Sequence, residues 1–420
     1  MASPRFPTGP IASEHGDVVA ADFSSATTRL SPDDLASGFA PIEFLWRHWI
    51  PKGKVIVLAG PGRVGKSSVF TGLAVARALG LPRFLGIPIV AGATLFVTAE
   101  DTPIDYGRRI CSWIDAFCDS APTRETLRQV AQAITFIDLV GTDIRLVDRV
   151  KRDYEANAVH ALGLAKKVKD LTPRPDLVVL ETVSRLGGDE SNQAHGALIA
   201  ACEMIATECN VAIVLVSHTG KANARENAFD AYASRGGSAL SDNARATITV
   251  GKMPTDVKQQ EAVLGRKCLP EERRHLILNL SSSTFAPPQA PLLLKPRSVL
   301  DSLVLDLAET LTEAEIAGIH ARKNAALAYA VSELSKTGPV AVSTIKKNFP
   351  LLGGAIAWRD VKDAIDDAVG DGVLAYDQQN DRGHRRLILG ENKPKDNGNV
   401  VDIADYALTV DFGQGIAKKS

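Results

Sequence analysis

The sequence predicts an α/β fold with a mostly parallel sheet, followed by a small domain of helices and a hairpin. Three observations predict it. Short apolar runs recur between residues 54 and 280 with helical stretches between them, the pattern of crossover connections in a sheet covered on both faces. The first run leads through a glycine-rich turn straight into a helix. Beyond residue 299 the pattern changes to three helices and two short extended pieces around a polar turn.

The totals suit such a protein. A chain of 420 residues, 45% hydrophobic and 23% charged, has room for two or three globular domains. Lys plus Arg (48) nearly cancels Asp plus Glu (49), so any nucleic-acid contact must come from local clusters. The five cysteines show no CxxC and no zinc spacing, and they read as buried, reduced thiols. Without a secretory leader or a long apolar stretch, the expectation is a cytoplasmic protein with no membrane partner.

Taken in order, residues 1–40 read as a flexible arm, and the aromatic segment IEFLWRHWIP (42–51) leads into the first strand. Strands are expected at 54–59, 94–99, 134–139, 176–181, 211–217, 246–250 and 275–280, with helices at 66–79, 104–118, 157–170 and 196–209. The first helix is closed by Gly80 and Pro82. The α/β domain would span 41–280. Clustered Ser and Pro mark 281–298 as a linker, and 299–319 is compatible with a helix. A domain at 299–390 follows, with helices at 325–334, 342–348 and 358–369 and strands at 372–376 and 385–389. That order is the pattern of a winged helix. Residues 391–420 read as a flexible tail.

The segment Gly60-Pro61-Gly62-Arg63-Val64-Gly65-Lys66-Ser67 has the spacing of a phosphate-binding loop, and Ser68 follows it. The loop must turn tightly so that successive backbone N–H groups face a phosphate, and glycine permits the dihedrals. Lys66 supplies a charge for the β/γ oxygens, the Ser67 hydroxyl ligates Mg²⁺, and the helix dipole points at the same phosphates. ATP with Mg²⁺ is the expected ligand.

In a parallel sheet, acids at strand C-termini face the ligand crevice. Glu100 ends the second strand and is the candidate general base for an attacking water, with Asp101 beside it; helix capping is the alternative for both. Glu181 ends an apolar strand where a Walker B acid would hold Mg²⁺, although aspartate is usual there. His218 closes a further strand, either sensing γ-phosphate or packing in a turn.

With these residues in view, the chain resembles the RepA-type hexameric replicative helicases of plasmids, within the RecA-like P-loop ATPases. The likeness is carried by LAGPGRVGKSS (58–68), TLFVTAEDTP (94–103), DLVVLETVSRLGGDESNQAH (176–195) and SHTGKANARENAFDAYASRGGSALSDNARA (217–246). It implies Lys66 and Ser67 as the Walker A pair, Glu100 as catalytic glutamate, Glu181 as Walker B acid and His218 as the sensor-strand histidine. Arg235 would be the arginine finger that a neighbouring subunit inserts. It further implies a ring-shaped homo-oligomer, a hexamer, acting on single-stranded DNA, with a replication initiator or primase as a further partner. Channel-facing DNA contacts would fall on 186–195 and 221–234, the latter holding Lys221 and Arg225; a lid is the alternative for that loop.

The C-terminal domain lies outside the likeness. Asp360, Asp363, Asp366 and Asp367 make its third helix a poor reader of a DNA groove, and the wing with Arg382, His384, Arg385 and Arg386 is the better candidate. A structural or protein-binding role is the alternative. Two functions therefore stand: a motor on single-stranded DNA serving a plasmid, phage or mobile element, or a DNA-binding regulatory or adaptor ATPase that uses ATP as an assembly switch. A small-molecule kinase would leave the Arg235 block unexplained.

Overall fold

The computed structural model describes residues 30–37, 41–118, 120–219, 238–264, 266 and 268–308, and parts of 327–400. The chain divides into two units, Met1–Ala308 and Glu309–Ser420.

In the first unit a single turn of helix, α1 (Pro32–Ser37), precedes a small hairpin of β1 (Phe44–Trp46) and β2 (Ile50–Pro51). Then come β3 (Val55–Gly60), α2 (Lys66–Ala78), the short pair β4 (Arg83–Phe84) and β5 (Ile87–Pro88), and β6 (Ala93–Thr98). α3 (Pro103–Phe117), α4 (Arg124–Ala133) and β7 (Ile134–Asp138) follow, then a hairpin of β8 (Val147–Val150) and β9 (Asp153–Ala156). α5 (Ala158–Asp170), β10 (Pro175–Glu181), α6 (Val183–Gly187), α7 (Asn192–Cys209) and β11 (Ala212–His218) continue the alternation. Beyond lie β12 (Ala246–Lys252), β13 (Leu276–Ser283), β14 (Leu292–Val299) and β15 (Ser302–Leu307).

Nine of the described strands form one sheet in the order β15-β14-β13-β12-β3-β11-β10-β6-β7. From β12 to β7 every pairing is parallel, and β13, β14 and β15 add antiparallel neighbours on the far side of β12. Alternation along each strand sends residues to opposite faces. Val55 and Val57 meet α5 and α7, while Ile56 and Leu58 meet α2 and α3 with the aromatic cluster of Trp46, Trp49, Phe84 and Trp113. α2 is apolar on nearly all sides because the sheet, α3 and β15 surround it. Its Arg77, fully buried, pairs with Asp176 at 2.5 Å and donates to the Val90 carbonyl at 2.8 Å, tying the helix end to β10.

Residues 281–298 are not a linker, and 299–319 does not begin as a helix: β14 and β15 occupy 292–299 and 302–307. The prolines that suggested a linker sit mostly at 287, 288 and 291, in the connection between β13 and β14. Pro296 lies within β14, but β13 pairs only with Leu292–Leu294, so at Pro296 one backbone edge has no ladder bond to lose. Leu294, Val304 and Leu305 bury fully in the same core as α2. Cys202, Cys209 and Cys268 are buried free thiols, whereas Cys111 is exposed on α3. Among the described residues no helix is long and apolar enough to cross a membrane.

The second unit has helical residues among 327–334, then β16 (Val340–Ala341), helices Val342–Asn348 and Trp358–Gly370, and β17 (Leu374–Asp377) and β18 (Arg386–Leu389). Its larger sheet runs β16-β18-β17, all antiparallel, and Lys395–Asp396 pairs with Asn399–Val400 within the stretch expected as a flexible tail. Val361, Ala364, Ile365 and Ala368 recur at helical spacing and pack on Ala330, Val331, Leu334, Ile345 and Leu387.

Candidate active site

The order β3-β11-β10-β6 places four strand C-termini in a row, and they deliver Gly60, His218, Glu181 and Glu100 to one rim. At Gly60 a Cβ would lie 2.6 Å from the Val250 carbonyl, so only glycine lets β3 turn there against β12. Gly65 caps α2 with φ 101°, a left-handed conformation that costs glycine little. Arg63 also has positive φ (62°), and Val64 is buried beneath the loop. The N-terminus of α2 thus opens into a cavity of about 820 Å³ lined by Gly62, Arg63, Gly65, Lys66, Ser67 and Ser68.

Lys66 donates to the carbonyls of Gly60 and Pro61, both at 2.8 Å, and its Nζ lies 3.2 Å from His218 Nδ1. Burial pulls its pKa down to about 8, against the opposing pull of Glu181 and Glu100. Ser67 donates to Glu181 Oε1 at 2.5 Å, while Glu181 Oε2 is buried and unbonded. Burial pushes the Glu181 carboxyl up to about 7; the Ser67 bond works against that, and Asp101 and Glu100 reinforce it. The Ser67 hydroxyl and the orphaned carboxylate oxygen are hard donors of the kind a divalent cation takes. Among the described residues no cluster of three or more His, Cys, Asp or Glu side chains is arranged to hold a metal, so further ligands would be phosphate oxygens and water.

Glu100 Oε1 accepts from the Thr182 hydroxyl at 2.8 Å, which ties it to the residue after Glu181. Asp101 pairs with Arg109 at 2.6 Å instead of capping α3; Thr102 and Asp105 form that cap, with Pro103 leading the helix. The structure thus gathers Lys66, Ser67, Glu100, Glu181 and His218 around one cavity. Arg235, Lys221 and Arg225 lie outside the described residues, as do Arg382, His384 and Arg385.

Two contributors escaped the sequence. Arg108 and Arg109, in the second turn of α3, line the cavity. Their spacing from Asp105 was a usable signal, since residues three and four apart on a helix are neighbours. Asp301, Ser302 and Leu303, at the β14–β15 turn, line it as well. There the Ser68 hydroxyl donates to the Leu303 carbonyl and accepts from Trp113 Nε1. No local pattern at 300–303 announces this contact.

A phosphate-binding loop between a buried strand and a helix, with acids on adjacent strand ends, defines a P-loop nucleoside-triphosphate hydrolase. Residues 21–224 match the family model described as an AAA domain, and the chain carries an AAA-family P-loop ATPase domain that binds and hydrolyses ATP. No curated protein matches the chain.

Proposed function

We propose that this ATPase is a motor on single-stranded DNA that works as a ring-shaped homo-oligomer, a hexamer, in the replication of a plasmid, phage or mobile element. The observation that carries the reading is the bond between Glu100 and Thr182, because it links the candidate base to the chain segment that leaves the site. A change at the γ-phosphate would then reach the segment 182–195, where the likeness to RepA-type helicases sets a DNA-contacting loop. The run of parallel strands with the loop on β3 supports a RecA-like core.

In this reading the backbone of 60–65, Lys66 and Ser68 hold the phosphates, and Ser67 with Glu181 holds Mg²⁺. The cation would neutralise charge on the β- and γ-oxygens. Glu100 orients and deprotonates the attacking water, His218 reports on the γ-phosphate beside Lys66, and Arg235 of a neighbouring subunit stabilises the transferring phosphoryl group. In the second unit the succession helix, β16, helix, helix, β17, β18, with β18 central, supports a winged-helix domain.

The second reading, a DNA-binding regulatory or adaptor ATPase that uses ATP as an assembly switch, is favoured by the buried Glu181, held near neutrality where an aspartate is usual. Hydrolysis measured with and without single-stranded DNA, for wild type and Arg235→Ala, separates the two. A motor shows strong stimulation that the substitution abolishes, whereas slow turnover indifferent to DNA and to Arg235 sinks the motor. Lys66→Ala removes hydrolysis under either reading, and undiminished turnover would overturn the site itself.

A further inference from the structure

We propose that the β8–β9 hairpin carries a cationic tip that grips the phosphate backbone of a single-stranded nucleic acid. The proposal rests on the motor reading and adds a contact element to it. Val150 pairs with Asp153, so Lys151 and Arg152 form a two-residue turn. Turns of this length call for positive φ at the first position, which is why Gly, Asn and Asp dominate there. Here Lys151 takes it, at φ 56°. A lysine held in strain where glycine would be relaxed, followed by an arginine, points to a use for the charge.

Arg149, Val150, Lys151 and Arg152 are all exposed. None of these three cations enters an ion pair among the described residues, and Arg149 rests 5.9 Å over the Tyr154 ring. The hairpin's acids are held elsewhere. Asp148 accepts from Asn157 at 3.0 Å, Asp153 accepts from Gln193 at 3.4 Å, and Glu155 stands opposite Asp148 at the base. The tip is therefore positive although the hairpin as a whole is not.

Its position gives the charge a purpose. Leu146 N–H donates to the Leu186 carbonyl at 2.9 Å, and Tyr154 donates its hydroxyl to Asp189. Arg145 packs across Gly188, where an added Cβ would lie 2.8 Å from its Nη1. The hairpin is thus fastened at several points to the segment that begins one residue after Glu181. The two turn positions carry cations and no aromatic, and Tyr154 beside them is held by Arg149 and Asp189, so the tip suits phosphates and leaves base sequence unread.

The test is anisotropy titration of a labelled thymidine oligomer and a uridine oligomer across a salt series. It compares wild type, Lys151→Gly, and the double variant Lys151→Gly with Arg152→Ala. Loss of two phosphate contacts should weaken binding about 20-fold at about 0.1 M salt and flatten the salt slope by about 1.4. Melting temperature should not fall, because glycine relieves the turn. Equal losses for both oligomers mark backbone contact alone, and a loss for one assigns DNA or RNA. If wild type binds and the variants bind equally, the hairpin proposal fails and the motor reading stands. A loss of affinity that keeps the salt slope and lowers the melting temperature makes the turn structural and also overturns the proposal. If wild type binds neither oligomer, both readings fall, and the charged tip is left for an acidic protein surface.

Discussion

Glu181 is 6% exposed, shares a hydrogen bond with Ser67 and keeps its second oxygen without a partner. Its carboxyl, raised from 4.5 to about 7, favours the protonated form in the folded protein. The stability this contributes is fully present below about pH 4.5 and is lost as pH rises through about 7. Lys66 acts in a different window. Lowered from 10.5 to about 8, it contributes above about pH 10.5 and loses that as pH falls through about 8, so it is nearly level below. The melting temperature of the nucleotide-free protein should therefore decline between about pH 5 and 8, and Glu181→Gln should flatten that decline. Parallel curves for the two proteins would show that Glu181 ionises freely. With Glu181 as the proposed Mg²⁺ ligand, a bound cation needs the carboxylate, so Mg-ATP binding near neutral pH should release a proton in wild type and not in the glutamine variant, which calorimetry in buffers of different ionisation enthalpy reads directly.

At the scale of the element, the β14–β15 hairpin is both part of the sheet and part of the site wall. Leu303 and Leu305 lie within 3.0 and 3.5 Å of where a Cβ on Gly65 would stand, so the hairpin packs directly on the start of α2. Leu305→Ala should destabilise the first unit by about 2–5 kcal/mol, read by urea denaturation, and should weaken ATP binding along with it. A stability loss with unchanged nucleotide affinity would mean that the hairpin supports the core without shaping the cavity. This element also marks the limit of the sequence. The strand, turn and helix from Val55 to Ala78 were legible because the loop motif fixes its own spacing, and Glu100, Glu181 and His218 were legible because each ends an apolar run. The wall at 300–303 was not. Ser and Pro around it describe local chain, whereas its contacts with Ser68 and Gly65 join residues remote in sequence. Arg109 was missed for a smaller reason: Asp101 was read only as the neighbour of Glu100 or a cap, when its bond is to that arginine.

Over the whole molecule, the matched region 21–224 stops short of β12, which pairs with β3 in the middle of the sheet. A chain ending at residue 224 would expose the free edge of β3 and the apolar face that β12 to β15 cover, and it should be recovered as aggregate. A chain ending at 308 contains every described residue of the cavity and should be soluble and bind ATP, as size-exclusion chromatography with a fluorescent nucleotide would show. Failure of the longer chain would mean that the second unit is needed for the first to fold.

The contact of Leu303 with Gly65 also sets a timetable. Strands β3 and β11 are synthesised far apart, and the turn that closes over the phosphate-binding loop comes last of all in this unit. While the chain is still on the ribosome, the loop emerges early and waits uncovered until residue 308 has cleared the exit tunnel. Long-range closure of this kind slows folding. The cavity is therefore fully lined only as translation of the unit ends, and an unfinished chain carries the motif without its last wall.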